Sequence, residues 1–424
     1  MVVLNTILTH MRNTFLVAFL FFLFLTPSIA YSQAKASPKV FLNCSARCYG
    51  EYVRSEITFF DFVRDRYAAD IEVFIQALAN GAGGFEYTLT FTGQNAYSSL
   101  SDTLEFSTRQ ADTEDMVRKE MVKNIKMGLV KFIVNTDLFE DVLIDFPKSP
   151  QTVEVLPKDK WNYWVFRLGG RASFRSESNK KNSSIRTDLS ISRVTNASKF
   201  SLFTYHNQYF DKYTIDGEEV TARNTNYGIS SLFVKSISQH WSAGGFYRGF
   251  HSVYSNIAFS HSLAPAVEYS MYPVSQVMQH QIRWIYQAGF RKRSYLETTI
   301  FDKLQETLPY HQLTGIMRIT EPWGTFSAEL NGFQYLHDPS KNRLSLEVDL
   351  NWRVAQGLSV WLNSDFSLIN NQISLAKSEG DASQILLNNR QLPTSFRFSS
   401  SVGMSYTFGS LNNNVINPRF SNVN

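Results

Sequence analysis

From Trp161 to Gly409 the chain alternates apolar and polar residues in runs of about ten or more, longer than the ~5–6 residues usual for strands of globular domains. In the clearest run Leu344, Leu346, Val348, Leu350, Trp352 and Val354 fall on one face, while Ser345, Glu347, Asp349, Asn351 and Arg353 fall on the other. Strands of that length, apolar on one side and charged on the other, match a tilted crossing of a bilayer with a lipid side and a lumen side. Twelve such runs are expected, near 161–176, 184–196, 199–214, 223–237, 240–254, 257–273, 277–296, 309–321, 325–337, 342–355, 358–373 and 396–409. The fold class that follows is mainly β, a transmembrane antiparallel β-barrel of about 12 strands preceded by a small periplasmic α/β domain.

Connection lengths give an independent check. Even-numbered connections are tight, as at Asn196–Ser198, Ser238–Gln239, Pro322–Gly324 and Ala355–Gly357, whereas several odd ones, Ile215–Asn224, Leu296–Pro309 and Ser374–Thr394, are longer and two, Asn179–Asn182 and Asp338–Asn342, are short polar turns. Outer-membrane barrels carry short turns inside and long loops outside, and an even strand count returns both ends to the periplasm. The first strand is therefore expected to run outward. A mean hydropathy of −0.21 does not oppose this, because the lumen face of a closed sheet keeps the average low. The 14% aromatic content suits interfacial girdles, and a net charge of +4 gives no sign of a nucleic-acid partner.

The start of the chain agrees. Phe15–Leu25 is an uncharged apolar core after Arg12, followed by small residues at Ser28 and Ala30, which reads as a secretory signal peptide over 1–30. Translation beginning at Met11 rather than Met1 would preserve it. Cys44 lies well beyond that core, without a lipobox before it. Cys44 and Cys48 are the only cysteines and are expected to pair in an oxidising periplasm.

Residues 36–136 have a different grammar. A strand at 39–43, a helix at 49–56 and strands at 58–64, 70–78, 85–92 and 103–107 lead to a long helix. Asp112 or Thr113 can cap it, and Val117, Met121, Val122, Ile125, Leu129, Phe132 and Ile133 form its core stripe. Arg118, Lys119, Lys123 and Lys126 on the opposite side read as a solvated face. Asn80–Gly84 (NGAGG) is a hairpin loop and lacks the context of a phosphate-binding loop. Residues 137–160, with Pro147, Pro150 and Pro157, form a linker; the barrel spans 161–410, and a polar tail follows over 411–424.

In its strand pattern, especially Ala69–Ile75 followed by Phe85–Phe91, this unit resembles the periplasmic domains of TolB and of the curli-secretion lipoprotein family. That implies a domain acting by contact with an envelope protein. The last strand, with Val402, Met404, Tyr406 and Phe408 alternating against Gly403, Ser405, Thr407 and Gly409, resembles the outer-membrane insertion signal read by the barrel-assembly machinery. Because Ser410–Asn424 follows, the signal would be internal. The whole layout resembles an uncharacterised outer-membrane family of Bacteroidota type.

The lumen-lining charges expected from strand parity are Arg167, Arg171, Arg175, Arg186, Asp188, Arg283, Arg291, Glu347, Asp349, Arg353 and Asp365. They would place a basic side beside an acidic one, either pairing to fill the lumen or setting ion selectivity. The seven histidines that follow the expected signal peptide (His206, His240, His251, His261, His280, His311 and His337) are scattered and show neither a nucleophile elbow nor HExxH, and no metal or cofactor set appears. The leading expectation is a non-enzymatic envelope anchor or assembly component among outer-membrane lipids, its periplasmic domain contacting an envelope protein. A small-solute or ion channel is the alternative, and a rim-located lipid hydrolase the third.

Overall fold

The computed structural model describes residues 37–134, 139–140, 159–215, 217–273, 276–377 and 391–409. The expected signal peptide, nearly all of the linker, residues 378–390 and the tail lie outside these.

The N-terminal unit is a five-stranded sheet in the order β2-β1-β3-β4-β5. Its strands are β1 (Lys39–Cys44), β2 (Asp61–Val63), β3 (Ile71–Ala79), β4 (Phe85–Gly93) and β5 (Ser101–Ser107), with helices α1 (Gly50–Glu56) and α2 (Glu114–Ile133). Successive strand residues point to opposite faces. One face, carrying Val40, Leu42, Ile71, Val73 and Ile75, packs with Met121, Ile125, Leu129 and Phe132 of α2 in a single core. Thr113 caps α2, its hydroxyl accepting from the Met116 N–H at 3.3 Å, and Glu114 and Asp115 occupy the first turn at the positive end of the helix dipole. Asn80 closes the β3–β4 hairpin, its side-chain oxygen accepting from the N–H groups of Ala82 and Gly84 at 3.0 Å each. A disulfide joins Cys44 to Cys48. The strand expected over 58–64 contracts to Asp61–Val63, the three residues that find partners in Lys39–Phe41 of β1.

The rest is a twelve-stranded antiparallel sheet in strict sequence order: β6 (Trp164–Ser176), β7 (Lys180–Val194), β8 (Ser198–Ile215), β9 (Glu218–Ser236), β10 (Trp241–Ser252), β11 (Ile257–Ser270), β12 (His280–Tyr295), β13 (Gln305–Glu321), β14 (Gly324–Tyr335), β15 (Asn342–Ala355), β16 (Leu358–Ile369) and β17 (Phe396–Tyr406). Among the described residues no ladder joins the end strands β6 and β17. Strands β9 and β13 begin earlier than the alternation suggests. Polar cross-strand contacts extend those hairpins, as where Lys212 meets Glu219 at 2.6 Å and the Tyr295 hydroxyl donates to Glu306.

The sheet has two unlike faces. Leu346 stands opposite Leu330 and Phe366, and Leu350 opposite Phe326 and Leu362, on a side that no described segment covers. Leu168 is 82% exposed and Val402 72% exposed there. Curling of the sheet is evident from the segment after β16. It reaches the β12–β13 connection, with the Ile300 N–H donating to the Leu375 carbonyl at 2.9 Å, and the β10–β11 turn, with Asn256 donating to the Ser374 carbonyl at 3.0 Å. No described helix is long and apolar enough to cross a membrane.

Candidate functional site: a charged interior with two covers

Following the ladder from β6 to β17, Arg167, Arg171, Arg175, Arg186, Asp188, Arg283, Arg291, Glu347, Asp349, Arg353 and Asp365 all fall on the face opposite the apolar one. The register adds Arg248, Glu268, Glu329 and Arg397 to that face. Parity alone missed Arg248 because Gly244, Gly245 and Gly249 blur the alternation of β10.

The charges are unevenly distributed. Arg171 stands directly opposite Arg186 on β6 and β7. On the other side Glu329, Glu347 and Asp365 stand in one row across β14, β15 and β16. Several groups are paired locally: Arg186 with Asp188 at 3.8 Å, Arg283 with Glu268 at 3.6 Å and Arg397 with Asp365 at 3.2 Å. Asp349 accepts from the Asn363 amide at 2.6 Å.

The long-loop end of this interior is covered. Ile373, carried by the segment after β16, is buried against Ala264, Leu308, Tyr310, Phe333 and Tyr335. Next to this plug Arg291 lies over the rings of Tyr310 and Phe333, at 4.7 and 5.0 Å from their centroids, and donates to the Tyr335 hydroxyl at 3.4 Å. Such stacking suits a delocalised guanidinium away from bulk water. Farther in is a cavity of about 530 Å³ bordered by Arg248, Arg291, Gln287, Gln312, Glu329 and Asn331.

The tight-turn end is covered by the N-terminal unit. The second face of its sheet carries Asn43, Glu72, Phe74 and Gln76, all buried, and buried polar groups need hydrogen-bond partners. Here they meet the turns. The Asn43 amide donates to Glu72 at 2.7 Å and to the Pro322 carbonyl at 3.0 Å, and Gln76 donates to the Met278 carbonyl at 3.1 Å. Asp65 accepts from the Gly357 N–H at 2.8 Å. Glu72 is also paired with Arg66 at 3.2 Å, and Arg353 donates to Asn43 while its guanidinium lies 5.4 Å from the Phe41 ring centroid. A Cβ built on Gly81 would lie 2.7 Å from Cβ of Val194, so contact also reaches the β7–β8 turn. Of the eleven charges read from the sequence, Arg353 alone is drawn into this docking, a role parity does not reveal. The readable signal was the polar set Asn43, Glu72 and Gln76 inside strands otherwise fit for a core.

Three of the four cations on the basic side of α2 pair within their own helix. Arg118 and Lys119 pair with Asp115 at 2.6 Å each, and Lys123 with Glu120 at 2.9 Å. Hydrogen bonds from Lys119 and then Arg118 hold the Asp115 carboxyl below the ordinary aspartate range.

The histidines do not assemble a triad among the described residues. His261 and His311 contact the hydroxyls of Tyr247 and Tyr286, His240 and His251 contact main-chain carbonyls, and His280 meets Glu321 at 3.0 Å. Nor does any group of His, Cys, Asp and Glu there have the arrangement of a metal site.

No known protein-family model matches the chain, and no curated protein matches its sequence. Among solved structures, the NanC porin in a rhombohedral crystal form is similar over 57% of this chain and 99% of its own, at 9% identity and a TM-score of 0.28.

Proposed function

We propose that this protein is an outer-membrane β-barrel that passes small polar solutes or ions through a lumen gated by its own N-terminal domain. The observation that carries the reading is a charged face with an internal cavity, placed between two covers, inside a sheet whose other face is an uncovered apolar belt. Soluble proteins rarely expose apolar surface of that extent, and lipid is its natural solvent. The tight turns and the N-terminal domain then lie on the periplasmic side, with the Ile373 segment outside. Arg167, Arg171, Arg175, Arg186, Glu347, Asp349 and Asp365 line the pathway. The chemistry is transport without covalent catalysis.

An envelope-anchor role is the second reading, favoured by the presence of a folded domain at the periplasmic end. One sheet face of that domain is already occupied by the barrel, however, and Arg118, Lys119 and Lys123 of α2 are paired within the helix, so fewer surfaces remain for a partner. The barrel still requires lipids and an assembly machinery under either reading.

The test is a lock. In a Cys44→Ser/Cys48→Ser background, Gly81→Cys with Val194→Cys should form a cross-link between domain and barrel. In planar bilayers the oxidised protein should be silent and the reduced protein should conduct. Silence of folded protein in both states would remove the channel reading and leave the anchor.

A further inference from the structure

We propose that the internal cavity is a selectivity site for a small zwitterion, an amino acid or short peptide carrying both a carboxylate and an ammonium group. The inference rests on the channel reading and names its solute class. Most of the inward charges already have partners, as the Arg283–Glu268 and Arg397–Asp365 pairs do. Among the described residues Arg167, Arg171, Arg175 and Glu347 have none but do not border the cavity of about 530 Å³, whereas Arg248 and Glu329 do, and neither of their side chains has an ion-pair or hydrogen-bond partner there.

The two groups are placed so that a solute can meet both. Arg248 stands opposite Ser262, which stands opposite Arg291, so two guanidinium-bearing residues flank a hydroxyl across three neighbouring strands. This is a receptor for a carboxylate, since guanidinium groups bind it through paired hydrogen bonds. Glu329 lies four strands from Arg248, on β14. Between them, beside Ile285, Tyr310 and Ile316, the lining carries carboxamide and hydroxyl groups: Gln287 opposite Gln312, and Thr314 opposite Asn331. The Thr314 hydroxyl accepts from Gln312 at 3.3 Å and from Asn331 at 3.0 Å, which holds those amides along the wall. Such groups match the N–H and C=O of a peptide, while Glu329 receives the ammonium. A purely anionic solute would leave Glu329 unpaired and repelled, and a purely cationic one would meet the arginines.

The experiment uses the full chain in proteoliposomes and measures osmotic swelling with glycylglycine, its N-acetyl derivative as the anion, and its amide as the cation. The wild type should admit glycylglycine roughly three- to fivefold faster than either charged relative, the factor of a partly screened ion pair. Arg248→Glu should remove that preference. The exchange Arg248→Glu with Glu329→Arg should restore it, which a fold defect would not do, and heat-modifiable migration on gels will verify that each variant forms a barrel. Swelling by all three solutes at equal rates in the wild type, or no rescue by the exchange, overturns this proposal while the channel reading stands. A wild type that admits neither ions nor any of the three solutes overturns the channel reading itself.

Discussion

Arg353, near the end of β15, donates to the side-chain oxygen of Asn43 on β1, a contact between residues 310 positions apart that ties the barrel to the N-terminal domain. Asn43 in turn donates to Glu72, which is paired with Arg66. The row Arg353–Asn43–Glu72–Arg66 is therefore a latch whose charged members alternate in sign around an amide. Removing the barrel's member by Arg353→Ala leaves Asn43 short of a donor and Glu72 with one cation fewer. A hydrogen bond to a charged group contributes about 1.5–3 kcal/mol, so docking should weaken by roughly tenfold or more. The expected outcome is a higher open probability in bilayers together with faster proteolysis within 137–160. Unchanged gating and unchanged cleavage would mean that the latch does not hold the domain.

Gly128 sits on α2 where a Cβ would lie 2.1 Å from the Phe91 ring. Gly128→Ala therefore overpacks the domain's core, at a cost of about 1–3 kcal/mol that exceeds the gain in helix propensity of about 1 kcal/mol. Hydrogen exchange should rise in α2 and β4 and stay unchanged in β6–β17. The seven tryptophans, Trp161, Trp164, Trp241, Trp284, Trp323, Trp352 and Trp361, all follow the domain in the sequence, so their fluorescence offers a control for barrel integrity. Protection of α2 equal to that of the wild type would contradict this packing.

The strands of the barrel were legible because a period of two leaves little choice once one face is apolar. Strand β15 was placed at 342–355 from alternation alone, and these are its observed bounds. The shared face of the eleven charges follows from the same parity. What alternation does not encode is which turns a distant unit touches: nothing local to Asn43 or Gln76 points to Pro322 or Met278, and only their polarity among buried neighbours hints at a second interface. The return of Ile373 into the interior was equally hidden: alternation carried the last-but-one strand on to 373, whereas β16 ends at Ile369 and Ile373 belongs to the segment that turns back. Thr113, by contrast, advertised the start of α2 through its capping chemistry, and the structure uses it.

Asp115 gives a pH signature outside the barrel. Its carboxyl is held below the ordinary aspartate range by hydrogen bonds from Lys119 and Arg118. A depressed folded value stabilises the charged form, so this contribution is present above the unfolded value of about 3.9 and is lost as pH falls through the folded one. A carboxyl NMR titration of selectively labelled protein should place the Asp115 midpoint below that of a free aspartate. Lys119→Ala should move it upward. A midpoint at about 3.9 or higher in the wild type would show that the pairs are not formed in solution.

The basic and acidic walls should act on permeating ions with opposite sign. Glu347 is the middle carboxylate of the row Glu329, Glu347 and Asp365, and Arg171 stands opposite Arg186. Like charges directly opposite one another destabilise a sheet, so reversing either residue relieves repulsion locally and should be compatible with folding. Rings and rows of one sign set which ions enter a pore. Under a salt gradient, Glu347→Lys should shift the reversal potential toward anion selectivity, whereas Arg171→Glu should shift it toward cations. The two shifts must differ in sign, because a general widening or loosening of the barrel would move both variants in the same direction. Equal reversal potentials in the wild type and both variants would mean that current does not pass along these walls.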